Sequence, residues 1–419
     1  MNLPRDASCD DDYDQTSLSC DEALTRILGQ CEPLTGIERL HLRAALGRVL
    51  AAPIAAPFDV PAHTNSAVDG YAVRAADLPS EGTRRLRVIG SAFAGHPFAG
   101  SLGAGQAVRI MTGAAVPPGT DVVVMQEHAL RHGDEVEIDG AHKPGQNVRA
   151  AGEDMVRGQC ALAAGRRLGP AELGVIASLG IGEVDVHRRV RVAYFSTGDE
   201  LRSIGETLGP GEIFDSNRYT LFAMLTRAGV EILDLGVVRD RRDLVEARFR
   251  EAAAIADVVI TSGGVSVGEA DYIREVLAAL GDVRFWKVSM KPGRPLAFGT
   301  LGAARFFGLP GNPVSVMVTF YQFVRPTLEK MAGGTPSSLL TLKARTTGTL
   351  KKRPGRTEFQ RGVLSRDATG ELYVTATGDQ GSGILQSMTA GDCFIILGLD
   401  TAKVEPGTLV DVQPFSALM

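Results

Sequence analysis

Cysteine is scarce in this 419-residue chain: five residues, an odd number, at Cys9, Cys20, Cys31, Cys160 and Cys393, with no CxxC pair among them. That excludes a disulfide framework and points to free thiols in a reducing, cytoplasmic setting. The seven histidines are scattered and form no HExxH motif, so a His-built zinc site is not expected. No run of about 18 apolar residues occurs, and hence no membrane-spanning helix is expected. Positive charge is not in excess: the formal net charge of −5 argues against a general nucleic-acid binder, which needs a basic footprint. The first sixteen residues lack the apolar core of a signal peptide. They carry Asp6, Asp10, Asp11, Asp12 and Asp14 instead, and residues 1–16 read as a disordered acidic tail.

What is present is ordinary globular sequence, 44% hydrophobic and 22% charged, long enough for two to four domains. A helix is expected from about Asp21 to Leu28, after possible caps at Ser17 and Ser19. From about Pro53 to Arg157, short apolar runs such as Leu86–Ile89, Val108–Met111, Val122–Met125 and Val136–Ile138 are broken by Gly and Pro, the pattern of a small β-rich domain. From about Val190, strands and helices alternate. Strands are expected at Arg191–Ser196, Val230–Gly236, Asp257–Ser262 and Val283–Val288. Helices are expected at Asn217–Ala228 (with Asn217 as cap), Leu244–Ala256 and Asp271–Leu280, and from Pro313. Such alternation implies βαβ units and a mostly parallel sheet, whose ligands bind beyond the carboxyl ends of the strands. After a Gly333–Ser338 linker, residues 339–419 return to short strands, a small barrel or sandwich.

The candidate chemistry sits on the loops after those strands. Ser196–Glu200, Arg239-Asp240 and Thr261–Asp271 combine small hydroxyls, glycines that admit a ligand to the backbone, and carboxylates. Asp240 and Asp271 offer hard oxygen ligands for a Mg²⁺ bound to phosphate. Lys287, Lys291 and Arg294 stand on a loop stiffened by Pro292 and Pro295, an arrangement suited to an oxyanion. Gly308–Ser315 reads as an ordinary strand-to-helix turn. Lys351, Lys352, Arg353, Arg356 and Arg361 form a basic stripe that suggests a local anion site, and Phe359 is its one base-stacking aromatic, which weighs against RNA. Asn65–Tyr71, Arg109–Gly113 and Arg149–Asp154 are polar loops in the β-rich segment, with no role legible from their residues.

Taken together, the strings NSAVDGYA (65–72), RIMTGAAVP (109–117), RAAGED (149–154), FSTGDEL (195–201), TSGGVSVGEADY (261–272), KPGRP (291–295), GLPGNPVS (308–315) and PGRTEFQRG (354–362) resemble the MoeA family, the molybdopterin molybdenumtransferases, in its bacterial form and related to the C-terminal domain of gephyrin. The resemblance implies a MogA-like α/β domain (17–36 plus 181–338), an elongated linking domain (37–57 plus 158–180), a β-rich domain (58–157) and a C-terminal β barrel (339–419). It implies a cytoplasmic homodimer with each active site built across subunits. The implied reaction inserts molybdate into adenylylated molybdopterin, with hydrolysis of the pyrophosphate bond and release of AMP. The implied partners are a molybdopterin adenylyltransferase and the enzymes that accept the finished cofactor.

By position, the resemblance makes Asp240 and Asp271 Mg²⁺-linked carboxylates with Glu200 beside them. Lys287 and Lys291 would hold phosphate, and Lys291, Arg294, Ser315, Arg361 and Ser382 would surround molybdate. Asp69, Thr112 and Asp154 would come from the partner's side of the cleft. Two departures stand out: Arg294 where Lys is common, and Pro61-Ala62-His63-Thr64 where Phe-Asp is common. A non-catalytic carrier or scaffold of the same fold is the competing reading, and a nucleotide hydrolase sharing only the α/β domain is a third.

Overall fold

A computed structural model describes residues 17–263, 271–336 and 338–418. The central α/β sheet contains β1 (Arg191–Thr197), β2 (Glu231–Val238), β3 (Val258–Ser262), β4 (Gly281–Lys287), β5 (Pro295–Leu301) and β6 (Ala304–Leu309), in the spatial order β2-β1-β3-β6-β5-β4. β2, β1, β3 and β6 run parallel, while β5 is antiparallel to both β6 and β4. Two antiparallel steps in series restore the direction. The carboxyl ends of β1, β2, β3, β6 and β4 therefore share one edge, and β5 begins there.

The parallel strands β1, β3 and β6 are buried on both faces and read as near-continuous apolar runs, as such strands must, while β2 at the edge is only half-buried. Helices α1 (Ser216–Ala228), α2 (Arg242–Ile255), α3 (Asp271–Leu280) and α4 (Pro313–Thr319) cover the sheet, and α4 continues through a π-helical turn, Phe320–Val324, into Arg325–Met331. One core packs Ala193, Phe195, Val245, Phe249 and Phe306 beneath α2 and α3. The other packs Val192, Tyr194, Leu221, Val316 and Phe323, together with Ala23 and Ile27 of the helix Cys20–Leu28. That helix starts at a reciprocal capping box: Glu22 N donates to Ser19 Oγ and Ser19 N donates to Glu22 Oε2. Ser19, not Ser17, is the cap. Of the expected strands, β4 begins two residues earlier, at Gly281, and β5 falls outside every expected strand.

The α1 cap also differs from expectation. Asp215 caps the helix, its Oδ1 accepting from Arg218 N at 3.1 Å. Asn217 lies inside the first turn, and its side chain is free to do something else.

Residues 339–418 form the expected barrel from β7 (Leu342–Thr346), β8 (Thr357–Arg366), β9 (Leu372–Ala376), β10 (Cys393–Leu397) and β11 (Leu409–Pro414). The order β8-β9-β7-β11-β10 closes through a β10–β8 pairing. Phe359, Met388 and Phe394 of this barrel belong to the same core as Val288, Met290 and Phe320. The pair Met290–Lys291 adds to the barrel as a parallel partner of Thr357–Glu358. Barrel and α/β sheet are thus packed as one body along the loop after β4.

The β-rich region holds a six-stranded sheet ordered Val122–Met125, Gly70–Val73, Gln106–Ile110, Thr83–Ala92, Glu135–Asp139, Ala129–His132. Alternate residues serve two small cores: Tyr71, Val73, Val122 and Val124 on one face, Ala72, Val108 and Val123 on the other. Between it and the α/β sheet lie two short antiparallel pairs, Ile37–His41 with Glu183–His187 and Ile54–Ala55 with Cys160–Leu162, and the helix Pro170–Ser178. The expected fold class, a MogA-like α/β domain joined to β-rich parts and a closed barrel, is the one observed.

Candidate functional site

At the shared sheet edge, β1 and β3 end side by side with Ser196 paired to Ser262, and the helices that follow them, α1 and α3, pack on opposite faces of the sheet. Open α/β sheets bind ligands at such a switch point. Buried polar atoms gather there without partners among the described residues: Ser196 Oγ, Thr197 Oγ1, Asp215 Oδ2 and Asn217 Oδ1. Burying an unsatisfied polar atom costs free energy, so a cluster of them in one place marks a site made for something other than stability. Asn217 Nδ2 donates to Ser262 Oγ at 2.8 Å and to Gly311 O at 2.6 Å, tying the ends of β3 and β6 together. Sequence reasoning gave Asn217 the wrong role and overlooked Asp215. The available signal was the triplet Asp215-Ser216-Asn217, three polar residues where one cap suffices.

The acidic loops lie beside this point. Asp199 Oδ1 accepts from Asp240 N at 3.1 Å, and Asp199 O accepts from Arg239 Nη1 at 3.2 Å. Asp240 and Glu200 are both exposed, and the Glu200 carboxylate folds over Gly198, so close that a Cβ there would meet it at 2.5 Å. Asp271 opens α3, but its side chain, like residues 264–270 of the expected glycine-rich loop, lies outside the described residues. His128 and His132 stand four residues apart, yet on a 3₁₀ turn and a strand rather than one helix face. Among the described residues no three His, Cys, Asp or Glu side chains could together hold a metal.

The cationic part is assembled from two bodies. Lys287 ends β4 at the shared edge, and Lys291 Nζ lies 3.5 Å from Glu358 Oε1 on β8. Arg294 is half-buried on the return of the same loop. Arg361, three residues along β8, is only 1% exposed. Its guanidinium donates through Nε to Ser387 Oγ at 2.9 Å and through Nη2 to Gly381 O at 3.0 Å, and no carboxylate among the described residues pairs with it. Burial pushes the Arg361 pKa down, against a weaker opposing pull from Asp379. An arginine buried without a counter-ion is costly unless an anion completes it. Next to Gly381, Ser382 accepts through its carbonyl from Val314 N at 3.1 Å, which seats the barrel loop on the first turn of α4 beside the buried Ser315.

Arg361, Ser382 and Ser315 are therefore brought together, and Lys291 is paired with the barrel strand that bears Arg361, three residues before it. The acids and the cations share an edge, not a point: five strand steps of about 4.8 Å put β2 and β4 roughly 24 Å apart. The basic stripe does not survive as a unit. Lys352 turns its Nζ onto the carbonyls of Arg353, Leu399 and Thr401, while Arg361 points into the interior.

The remaining residues cluster at one end of the β-rich sheet. Asp69 Oδ1 accepts from both the N and the Oγ1 of Thr112, each at 2.7 Å, and these two bonds hold its carboxyl below the usual range. The loop that bears Asp154 is pinned to the departing segment: Asp154 N donates to Val60 O, Gly152 N to Pro61 O, and Ala151 N to Thr64 Oγ1. Thr64 thus holds this loop through its hydroxyl. No hydrogen bond or ion pair among the described residues joins these loops to the α/β sheet edge of the same chain.

An α/β sheet with acidic loops at its switch point, joined through a shared core to a barrel that carries a buried arginine, defines a multidomain protein of α/β sheet, β-rich sheet and closed barrel. Its sequence matches the family profiles described as MoeA N-terminal region (domain I and II) over residues 18–180, probable molybdopterin binding domain over 193–330, and MoeA C-terminal region (domain IV) over 343–415. It is 43% identical over 404 residues to the molybdopterin molybdenumtransferase of Haemophilus influenzae, covering 96% of this chain and 100% of that one. It is 31% identical over 444 residues to gephyrin of Dictyostelium discoideum, covering 93% of this chain and 61% of that protein. The crystal structure of the molybdopterin biosynthesis moeA protein from Pyrococcus horikoshii OT3 superposes with a TM-score of 0.83 at 29% identity, over 95% of this chain and 100% of that chain. The chain belongs to the MoeA family of molybdopterin molybdenumtransferases, transferases of molybdenum cofactor biosynthesis.

Proposed function

We propose that the protein inserts molybdate into adenylylated molybdopterin, cleaving the pyrophosphate bond and releasing AMP. The observation that carries this reading is Arg361, a buried cation without a carboxylate partner among the described residues, beside the Gly381-Ser382 loop that is seated on the turn bearing Ser315. Molybdate is a tetrahedral dianion, and clustered cations with hydroxyls are what it requires. Arg294 keeps the charge of the more common Lys while offering a planar, multidentate donor set. Lys287 and Lys291 would hold phosphate. The substrate is long, a pterin joined through pyrophosphate to a nucleoside, and the breadth of the sheet edge fits that length.

Mg²⁺ is the cation of this proposal. It typically keeps several waters and takes one or two carboxylates plus substrate phosphates, so a sparse acidic set fits it better than an all-protein cage would. Asp240 and Asp271 would hold it, with Glu200 beside them, and when bound it would offset the charge of the pyrophosphate.

The protein acts as a homodimer in this reading, with Asp69, Thr112 and Asp154 completing the partner's site. Two features support it: among the described residues those loops make no hydrogen bond or ion pair to their own chain's sheet edge, and Ile204, Leu208, Ile213, Phe214, Tyr219 and Phe222 form a run of exposed apolar side chains on and before α1. The proposed division of the chain is 17–36 plus 181–338, 37–57 plus 158–180, 58–157 and 339–419. The proposed location is the cytoplasm, in keeping with unpaired Cys20, Cys31, Cys160 and Cys393. A molybdopterin adenylyltransferase would supply the substrate, and cofactor-accepting enzymes would take the product.

The test is direct: incubate the protein with adenylylated molybdopterin, with and without molybdate, and follow AMP and molybdenum cofactor together. Joint appearance of both is expected. Tight binding of the adenylylated compound without AMP release would assign a carrier role instead.

A further inference from the structure

The last turns of α1 meet the helix that starts at Pro313 again, further along, where it passes through its π-helical turn. There Met224, Arg227 and Ala228 of α1 meet Phe320, Tyr321 and Arg325, and with Arg167 and Leu418 they enclose a cavity of about 250 Å³. Its charge is unbalanced. Among the described residues, Arg227 pairs with no carboxylate and Arg167 donates only to Gly47 O, at 2.8 Å. Arg325 is held by Glu329 at 3.1 Å and by Ala417 O at 3.4 Å. Three guanidiniums face one carboxylate, 3 − 1 = +2, in a chain whose net charge is −5.

The wall is apolar and aromatic. Phe320 and Tyr321 meet edge to face with centroids 5.8 Å apart, and the Tyr321 hydroxyl makes no hydrogen bond among the described residues. Both rings stand on the π-helical turn Phe320–Val324. Such turns are rare and recur at functional sites, because they re-aim side chains at the expense of helix geometry.

We propose that this cavity is a second binding site, for a small organic anion: a carboxylate or phosphate head held by Arg227 and Arg167, on an apolar or aromatic body laid against Phe320, Tyr321 and Met224. It lies at the opposite end of α1 from Asp215 and Asn217, about 20 Å away by helix rise, so its ligand does not compete for the sheet edge.

The test is calorimetric titration of the full-length protein with benzoate and with phenyl phosphate, repeated on Arg227→Ala, Tyr321→Ala and Arg361→Ala. Saturable binding of at least one probe is expected. It should weaken at least about tenfold in Arg227→Ala, the loss of one charge-assisted hydrogen bond, and weaken also in Tyr321→Ala, while Arg361→Ala binds as the wild type does. Benzoate alone binding assigns a carboxylate head, and phenyl phosphate alone assigns a phosphate head. The proposal is overturned if neither probe saturates by about 10 mM, a limit weaker than millimolar affinity, or if binding survives Arg227→Ala and is lost in Arg361→Ala. Neither outcome depends on turnover, so the proposed reaction stands or falls separately.

Discussion

Arg361 shows how a single side chain can carry functional meaning that its sequence neighbours obscure. In the string KKRPGRTEFQRG it looks like the last member of a basic stripe, and only the fold separates it from Lys352, which caps backbone carbonyls. Residue type was legible; burial was not, because burial depends on a strand that closes the barrel more than thirty residues later, β10. Asp69 is a second case. Its depressed pKa comes first from the Thr112 backbone N–H and then from the Thr112 hydroxyl, both donating to the ionised form. A carboxyl depressed in the folded state stabilises that state above the ordinary carboxylate range and loses the contribution as pH falls through its folded value. Thr112→Val should therefore move the Asp69 pKa upward by NMR titration and flatten the acid limb of the stability curve. An unshifted Asp69 would remove the hydroxyl from the account. For Asp271, the proposal predicts that Asp271→Asn abolishes AMP release with the circular dichroism spectrum unchanged, and near-normal turnover would discard its metal role.

At the scale of elements, the parallel strands were readable because burial on both faces leaves apolar runs that need no partner to be recognised. β5 was not, since Pro295–Leu301 begins inside the KPGRP loop and contains Gly299, whose Cβ would meet Asp282 O at 2.0 Å across the β4 pairing. That glycine signals a close backbone approach, which sequence alone cannot distinguish from a turn. Gly70 has the same cause: a Cβ there would lie 1.9 Å from Val124 O, within the strand pair that positions Asp69. Gly70→Ala should destabilise by on the order of 3 kcal/mol in urea unfolding, because backbone rather than a flexible side chain must give way. A loss within experimental error would mean that the two strands can part without penalty. The α1 cap was misplaced for a related reason. Asp215 and Asn217 are equally good caps by residue type, and what decides between them is the tertiary demand for an amide linking Ser262 to Gly311.

At the scale of the whole molecule, the site is made by bodies distant in sequence. The sheet edge offers acids and lysines, the barrel adds Arg361 and Ser382, and the β-rich sheet presents Asp69, Thr112 and Asp154 with no hydrogen bond or ion pair, among the described residues, to its own chain's edge. Motif order made the parts recognisable, whereas their convergence is a property of packing, through a core shared by Met290, Phe320, Phe359 and Phe394. The proposed cross-subunit site makes a numerical prediction. Asp69→Asn and Asp271→Asn chains, each inactive alone, should recover about a quarter of wild-type AMP release when unfolded and refolded together, since about half the dimers are mixed and each mixed dimer regains one intact site. No recovery would place both residues in the same subunit's site.

The central claim, that Arg361 and its neighbours receive the oxyanion, is tested most directly by the molybdate dependence of AMP release from adenylylated molybdopterin. Wild type should saturate, and Arg361→Ala should need at least about tenfold more molybdate to reach its own half-maximum, the loss expected for a charge-assisted contact. Superimposable molybdate curves for the two proteins would contradict the account.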